Sequence, residues 1–429
     1  MSNLEELIEK LCPDGVEYKE INDCTIKVQN IKWKSYVGED KQYIDLSSVD
    51  RERNIITETQ NINADTAPSR AQQIVMKDDI ILGTTRPMLK RYCIIPEKYD
   101  GEICSTGFCV LRAKTDIINP RWLYHNITTK KFFAYVEKNQ QGASYPAISD
   151  TIVKAFKLPV PPLEVQREIV RILDNFTFLT AELAAELEAR QKQYEYYRDF
   201  LLTFKPNEST ILNERTNELE LSGAIRWMKL GDIADVTKLA GFEFTNYVQY
   251  SNNGSIIALR GLNVKNGSLI LDDVKYIDHS DFSKLNRSKL FIDDMLFTYV
   301  GTIGQVALVD VDDKYYLAPN VARIRFNSHN VNAKFALYFF QSSQFVNGQI
   351  KRLTAESSMK NLTMEKIRKF IIPIPPLEVQ QRIVDILDRF DAICNDISNG
   401  LPAEIEARQK QYEYYRDKLL TFKELKKEA

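Results

Sequence analysis

The chain has 429 residues, 44% of them hydrophobic and 27% charged, with a formal net charge of −2; that length and balance imply several globular domains rather than one core or a disordered chain. No apolar run approaches the roughly 20 residues that cross a bilayer, and the acidic, amphipathic start from Met1 to Lys10 lacks the basic and apolar stretches of a secretory signal. No membrane association is expected, and the expected location is the cytoplasm.

From the N-terminus, residues 1–157 contain short β-branched and aromatic runs bounded by Gly, Asn and Asp, which predict twisted sheets. A helix near Arg121–Glu137 adds an α component. Pro161-Pro162 then suits an extended approach and a first helical turn that needs no amide donor. Ile169, Leu173, Phe176, Leu183, Leu187, Tyr194, Tyr197 and Leu201 follow at the spacing of one helix face. A continuous helix from Leu163 to Phe204 would extend about 60 Å at about 1.5 Å per residue. After a linker at 206–222, residues 223–372 repeat the sheet-forming pattern, with a helix near Ala333–Val346. A second helical segment, 373–423, carries Ile383, Leu387, Phe390, Ile397, Ile405, Tyr412, Tyr415 and Leu419 as its stripe, and a charged tail, 424–429, ends the chain. Each stripe needs a partner, and the two are expected to pair as an antiparallel coiled coil.

This order is an internal duplication. Pro159-Val-Pro-Pro-Leu-Glu-Val-Gln166 recurs as Pro373-Ile-Pro-Pro-Leu-Glu-Val-Gln380, and Glu188-Ala-Arg-Gln-Lys-Gln-Tyr-Glu-Tyr-Tyr-Arg-Asp199 recurs unchanged at Glu406 to Asp417. The globular parts align in outline: Val16–Asp23 with Ile225–Asp232, Tyr43–Val49 with Ile256–Leu262, and Asp78–Leu82 with Asp293–Phe297. Between Asp388 and Arg408 the second helix is four residues longer than the first between Asp174 and Arg190, and the insert holds Asn399-Gly400 and Pro402. Those are stop and start signals that kink or split a helix. The expected fold is therefore α+β: two similar globular domains with twisted sheets, separated by two long helical segments, with pseudo-two-fold duplication.

Segment by segment, the net charge is 0 for 1–157, −5 for 158–222, +5 for 223–372 and −2 for 373–429. The acidity sits in the helical connectors, and a basic face on each globular part is allowed rather than shown. Six scattered cysteines without close spacing read as reduced packing residues. Three histidines far apart in sequence give no metal or acid/base pattern. Pro13-Asp14 followed by Glu17-Tyr18-Lys19 has poor spacing for a magnesium nuclease site, and Gly301-Thr-Ile-Gly304 lacks the Lys-Ser/Thr of a phosphate loop. In each tyrosine cluster, Tyr194/Tyr196/Tyr197 and Tyr412/Tyr414/Tyr415, two rings fit the apolar stripe, which favours packing over nucleic-acid stacking. These features leave open a scaffold joining two binding domains; an enzyme lacks any complete motif.

A divergent domain, a helix opening on Pro-Pro-Leu-Glu-Val-Gln, a second divergent domain and a second such helix resemble the specificity subunits of Type I restriction-modification systems, over essentially the whole chain. Thr180-Ala-Glu-Leu183 followed by Ala184-Ala-Glu-Leu187 is similar to the four-residue spacer units of some family members. The resemblance implies a non-catalytic subunit of a DNA-methylation and restriction complex, in which each globular domain, a target recognition domain, reads one half of a gapped site in double-stranded DNA. It also implies that the helices set the gap and bind two methyltransferase subunits, and that restriction subunits join the complex. S-adenosylmethionine, ATP and magnesium would belong to those partners, with no cofactor, metal or catalytic residue in this chain.

Base reading needs Arg or Lys toward guanine and Asn or Gln toward adenine, helped by phosphate contacts. The candidates for DNA contact in the first domain are Lys32, Trp33, Lys34 and Tyr36; Thr84, Thr85, Arg86, Lys90 and Arg91; and Gln140, Gln141, Ser144 and Tyr145. In the second domain they are Lys238, Arg260, Asn263, Lys265, Tyr299, Thr302, Gln305, Lys351, Arg352 and Lys360.

Overall fold

The computed structural model describes residues 2–204, 225–355, 361–396 and 398–425. The expected linker at 206–222, Lys360 and Ile397 lie outside these residues. The chain divides into two compact units, Met1–Ala184 with Glu404–Ala429, and Ala185–Ala403. Among the described residues, no helix is long and apolar enough to cross a membrane.

Unit 1 holds strands β1 (Glu17–Glu20), β2 (Thr25–Ile26), β3 (Lys41–Ile44), β4 (Gln60–Ile62), β5 (Ala71–Ile74), β6 (Ile80–Gly83), β7 (Tyr92–Ile94), β8 (Ile103–Ser105), β9 (Phe108–Ala113) and β10 (Lys157–Val160). One sheet has the order β2-β9-β6-β7 and another β4-β3-β8-β5, while β1 pairs with β10. The β3/β8 pair is parallel within an otherwise antiparallel sheet. Unit 2 repeats the plan with β11 (Arg226–Lys229), β12 (Ala234–Lys238), β13 (Ile257–Leu259), β14 (Val264–Lys265), β15 (Ser268–Leu269), β16 (Lys275–Tyr276), β17 (Met295–Thr298), β18 (Val306–Leu308), β19 (Tyr315–Leu317), β20 (Val321–Phe326) and β21 (Ile371–Ile374). Its orders β12-β20-β17-β18 and β11-β21 match those of unit 1; the sheet β16-β13-β19 has one strand fewer than its counterpart, and β13/β19 is again the parallel pair. A small β14/β15 hairpin is added. This is the expected α+β duplication.

The predicted helix near Arg121–Glu137 is two helices, Pro120–Ile127 and Lys130–Asn139. The break is local chemistry: the Thr129 side chain accepts the Phe132 amide and starts a new helix. In unit 2 the predicted Ala333–Val346 helix breaks in the same way at Ser342, whose side chain accepts the Phe345 amide.

The first connector is one helix, Leu163–Leu202. The second is split into Leu377–Asn395 and Leu401–Leu419, with Gly400 crowded against the carbonyls of Ala392, Ile393 and Asp396 so that no Cβ fits. Helix pairing occurs within each unit. In unit 1, Phe176 stacks on Tyr415 with ring centroids 5.5 Å apart and planes at 17°. In unit 2, Tyr197 stacks on Phe390 at 5.4 Å and 23°. The same two repeat positions meet in each unit, with the donor copies exchanged. Tyr194 and Tyr412 are buried, while Tyr196 and Tyr414 stay exposed, so two rings of each cluster pack.

Candidate nucleic-acid interface

The repeated Pro-Pro-Leu-Glu-Val-Gln sequence works as an anchor. Gln166 has no exposed surface; its Oε1 accepts the Asn119 amide at 2.8 Å, and its Nε2 donates to the carbonyls of Pro161 and Ile117. Gln380, equally buried, accepts the Asn332 amide at 2.8 Å and donates to Pro375 and Asn330. Each glutamine thus satisfies three backbone groups at the point where a connector helix meets its globular domain, where an unpaired group would be costly. Only an amide of this length supplies both donor and acceptors, which explains why the glutamine recurs.

A second pair of copies orders the sheets. Asp79 is 1% exposed and takes a two-point ion pair from Arg112, Nε at 2.9 Å and Nη2 at 2.7 Å. Asp294 and Arg325 repeat it at 2.6 Å for both bonds. The Asp before each has a positive φ of 66°. In sequence these Asp-Asp pairs align between the two globular parts without showing the ion pairs; their recurrence just before equivalent apolar runs is the signal for them.

One difference between the copies is chemical. His125, 1% exposed, lies 2.9 Å by Nδ1 from the Tyr412 hydroxyl and 3.0 Å by Nε2 from Asp174. The equivalent of His125 is Tyr338, whose hydroxyl donates to Asp388 at 2.6 Å. The acidic partner of His125 was invisible in sequence because it sits on the connector helix, 49 residues on. Among the described residues no group of three or more His, Cys, Asp or Glu could hold a metal, and all six cysteines are buried and unpaired with one another.

At the end of β6 in unit 1, two loops are joined. Thr85 bridges Ala147, the Arg86 amide donates to Pro146 at 2.7 Å, and Gln141 and Ala147 exchange two backbone bonds at 2.8 Å. The structure therefore brings Thr84–Arg91 and Gln140–Tyr145 together. Arg86 and Tyr145 are exposed, and the guanidinium lies 4.4 Å from the Tyr145 ring centre. Arg86 and Lys90 both have left-handed backbones, φ 48° and 53°, at a cost of roughly 1–2 kcal/mol for a residue other than glycine. Lys90 Nζ lies over Phe133 at 5.1 Å, Arg91 is half-buried, and Gln141 and Ser144 are exposed. Gln140 Oε1 is buried without a hydrogen-bond partner among the described residues. Thr84 faces inward instead: it is 8% exposed and its hydroxyl donates to Gly107.

The Lys32–Tyr36 group lies beside β5 rather than in that loop pair. Trp33 is a packing residue, donating by Nε1 to Ala71 at 2.6 Å and meeting Tyr36 edge to face. Lys32 and Lys34 remain exposed. Lys32 and Tyr36 line a shallow cavity of about 320 Å³.

In unit 2 the corresponding end carries Tyr299 to Gln305, with Val300 bridging Asn361. Arg260 and Thr302 line a cavity of about 450 Å³ with Tyr250, Leu262 and Asn320, three residues that sequence reading did not select. Arg260 is tied to Asp273 at 2.9 Å, though its buried Nε has no partner among the described residues. Lys238 Nζ sits 5.7 Å from the half-buried Tyr299 ring. Gln305 accepts the Asn266 amide at 3.0 Å and braces the exposed Lys265 turn. Lys351 and Arg352 are exposed on the Lys351–Ala355 helix. Asn263 corrects the sequence expectation: it has no exposed surface, accepts the Arg260 amide and donates to Ile270 and Asp273, so its side chain shapes the fold and is not presented to a ligand.

A family model described as the type I restriction modification DNA specificity domain matches residues 13–189 and 225–407, one match for each copy. The chain belongs to this specificity family. The EcoR124I/EcoR124II specificity subunit of Escherichia coli is 33% identical over 285 residues, 62% of this chain, and the chain spans 63% of the length of that relative. A protein of Haemophilus influenzae described as a type I restriction enzyme specificity subunit is 31% identical over 315 residues, covering 71% of this chain and 73% of the relative. Among solved structures, a chain from a study of assembly and conformational transition of the type I R-M system matches with a TM-score of 0.62 at 20% identity, over 95% of this chain and 98% of that one. The type I S subunit from M. genitalium matches at 0.52 and 12% identity, over 95% and 96%. At these identities the structural likeness carries the fold alone. Within this specificity-family fold, the anchors at Gln166 and Gln380 are alike and the loops at the sheet ends differ.

Proposed function

We propose that this specificity subunit reads a gapped, two-part site in double-stranded DNA, one half with each unit, and has no catalysis of its own. The observation that carries the reading is the contrast within the duplication. Buried anchors are the same in both units, whereas the sheet-end loops carry Thr85-Arg86 in one and Val300-Gly301 in the other. Two frames holding unlike tips suit two unlike half-sites.

In this reading the connector helices set the gap and hold two methyltransferase subunits, which carry S-adenosylmethionine and take a target adenine out of the stack to methylate it. Restriction subunits with ATP and magnesium complete the complex in the cytoplasm. Exposed Tyr196 and Tyr414, at equivalent positions of the two connectors, suit contacts with two like partners. The test is expression with the neighbouring methyltransferase subunit in an unmethylated host. New adenine methylation in a gapped motif that depends on this chain supports the reading; a stable complex with no new motif favours a scaffold.

A further inference from the structure

We propose that Arg86 reads a guanine in the major groove of one half-site, with Tyr145 as the platform that aims it. The inference rests on the DNA-reading function above.

Equivalent bonds align Thr84 with Tyr299, through their amides to Gly107 and Asn320, and Thr85 with Val300, through their bridges to Ala147 and Asn361. Arg86 therefore corresponds to Gly301, and both are left-handed, at φ 48° and 77°. The turn requires a conformation that glycine adopts freely, and unit 2 uses glycine there. Unit 1 places an arginine at the same point against that preference, so the fold does not account for the side chain.

The side chain is also free in the way a reader must be. Arg112, Arg260, Arg323 and Arg325 each pair with an aspartate. Arg86 has no ion pair among the described residues; its charged group lies over the face of Tyr145, which is 70% exposed. The guanidinium carbon lies over the Tyr145 ring, 4.4 Å from its centre; an arginine that stacks on an aromatic face keeps its in-plane N–H donors free, in the fork that matches O6 and N7 of guanine. Its backbone is held by the bond to Pro146, so the fork is presented from a braced loop.

The test uses the full chain in complex with its methyltransferase subunit, with methylation mapped genome-wide and binding measured on duplexes varied at each motif position. Arg86→Gly is the main variant, because glycine is native to this turn in unit 2 and relieves the backbone. It should lower discrimination for guanine at one position of one half-site by about 5- to 150-fold, the range for one two-point base contact, and leave the other half-site unchanged. Arg86→Lys should not restore it, since lysine lacks the fork. Tyr145→Phe should retain discrimination and Tyr145→Ala should weaken it. An unchanged motif with Arg86→Gly, or an equal loss on all sequences as for a phosphate contact, overturns the inference while the DNA-reading function stands. Absence of any chain-dependent motif with the unsubstituted protein is the separate failure of that function.

Discussion

The side chain of Gln166 accepts the backbone N–H of Asn119 at 2.8 Å, and Gln380 does the same for Asn332 at the same distance. Replacing Gln166 by leucine removes the partner of three backbone groups inside a site with no exposure. The expected cost is about 1–3 kcal/mol for each of these groups that stays unpaired. Hydrogen exchange should show the loss in unit 1 around Ile117 to Leu123, with unit 2 unaffected; uniform protection in both units would contradict the anchoring role.

Asp79 and Asp294 make a parallel case. Each is 1% exposed and paired with one arginine. Removing one partner strands a buried charge, which typically costs about 3–5 kcal/mol. Arg112→Met is expected to destabilise unit 1 by that order, and Asp79→Leu with Arg112→Met to recover much of it. Urea unfolding of the single and double variants checks the ordering.

His125 makes unit 1 sensitive to acid. Burial holds its imidazole below the ordinary value of 6.5, helped by the positive charges of Arg121 and Arg416, while Asp174 opposes them. Tyr412 and Tyr124 also face the ring. Below pH 6.5 the unfolded chain therefore takes up a proton that the folded unit resists, so stability is full above that pH and falls as pH drops. Unit 2 has Tyr338 at this place and should lack the effect. His125→Tyr should flatten the pH dependence of unit 1 between pH 7 and 5; an equally steep profile in that variant would assign the effect to another group.

The duplication, the helical connectors and the split at Asn399 to Pro402 were legible because they are written in contiguous residues: repeated strings, a helical stripe, and stop and start signals. The anchors were legible only as recurrence, since the bonds of Gln166 reach back to Ile117 and Asn119. Asn263 and Thr84 were misread because a loop asparagine or threonine looks alike whether its side chain points out or stitches the loop together. The pairing of Thr84–Arg91 with Gln140–Tyr145, some 50 residues apart, follows from tertiary backbone bonds that no local pattern encodes.

Deleting Thr180 to Leu183 tests the separation of roles. Four residues are close to one 3.6-residue turn, so both helix faces nearly keep their register while the helix shortens by roughly 6 Å. The expected outcome is a methylation motif with the same two half-sites and a shorter gap. Altered bases with the gap intact would place specificity in the helix.

The central claim is that one chain, built twice, reads two unlike halves of a DNA site. The most direct measurement is a genome-wide methylation map from a host expressing the chain with its methyltransferase subunit, compared with the methyltransferase alone. A gapped adenine motif that appears only with the chain, and that changes in one half when residues 84–86 are replaced by alanine, is the expected result. Methylation identical with and without the chain, or a motif whose two halves change together, would contradict it.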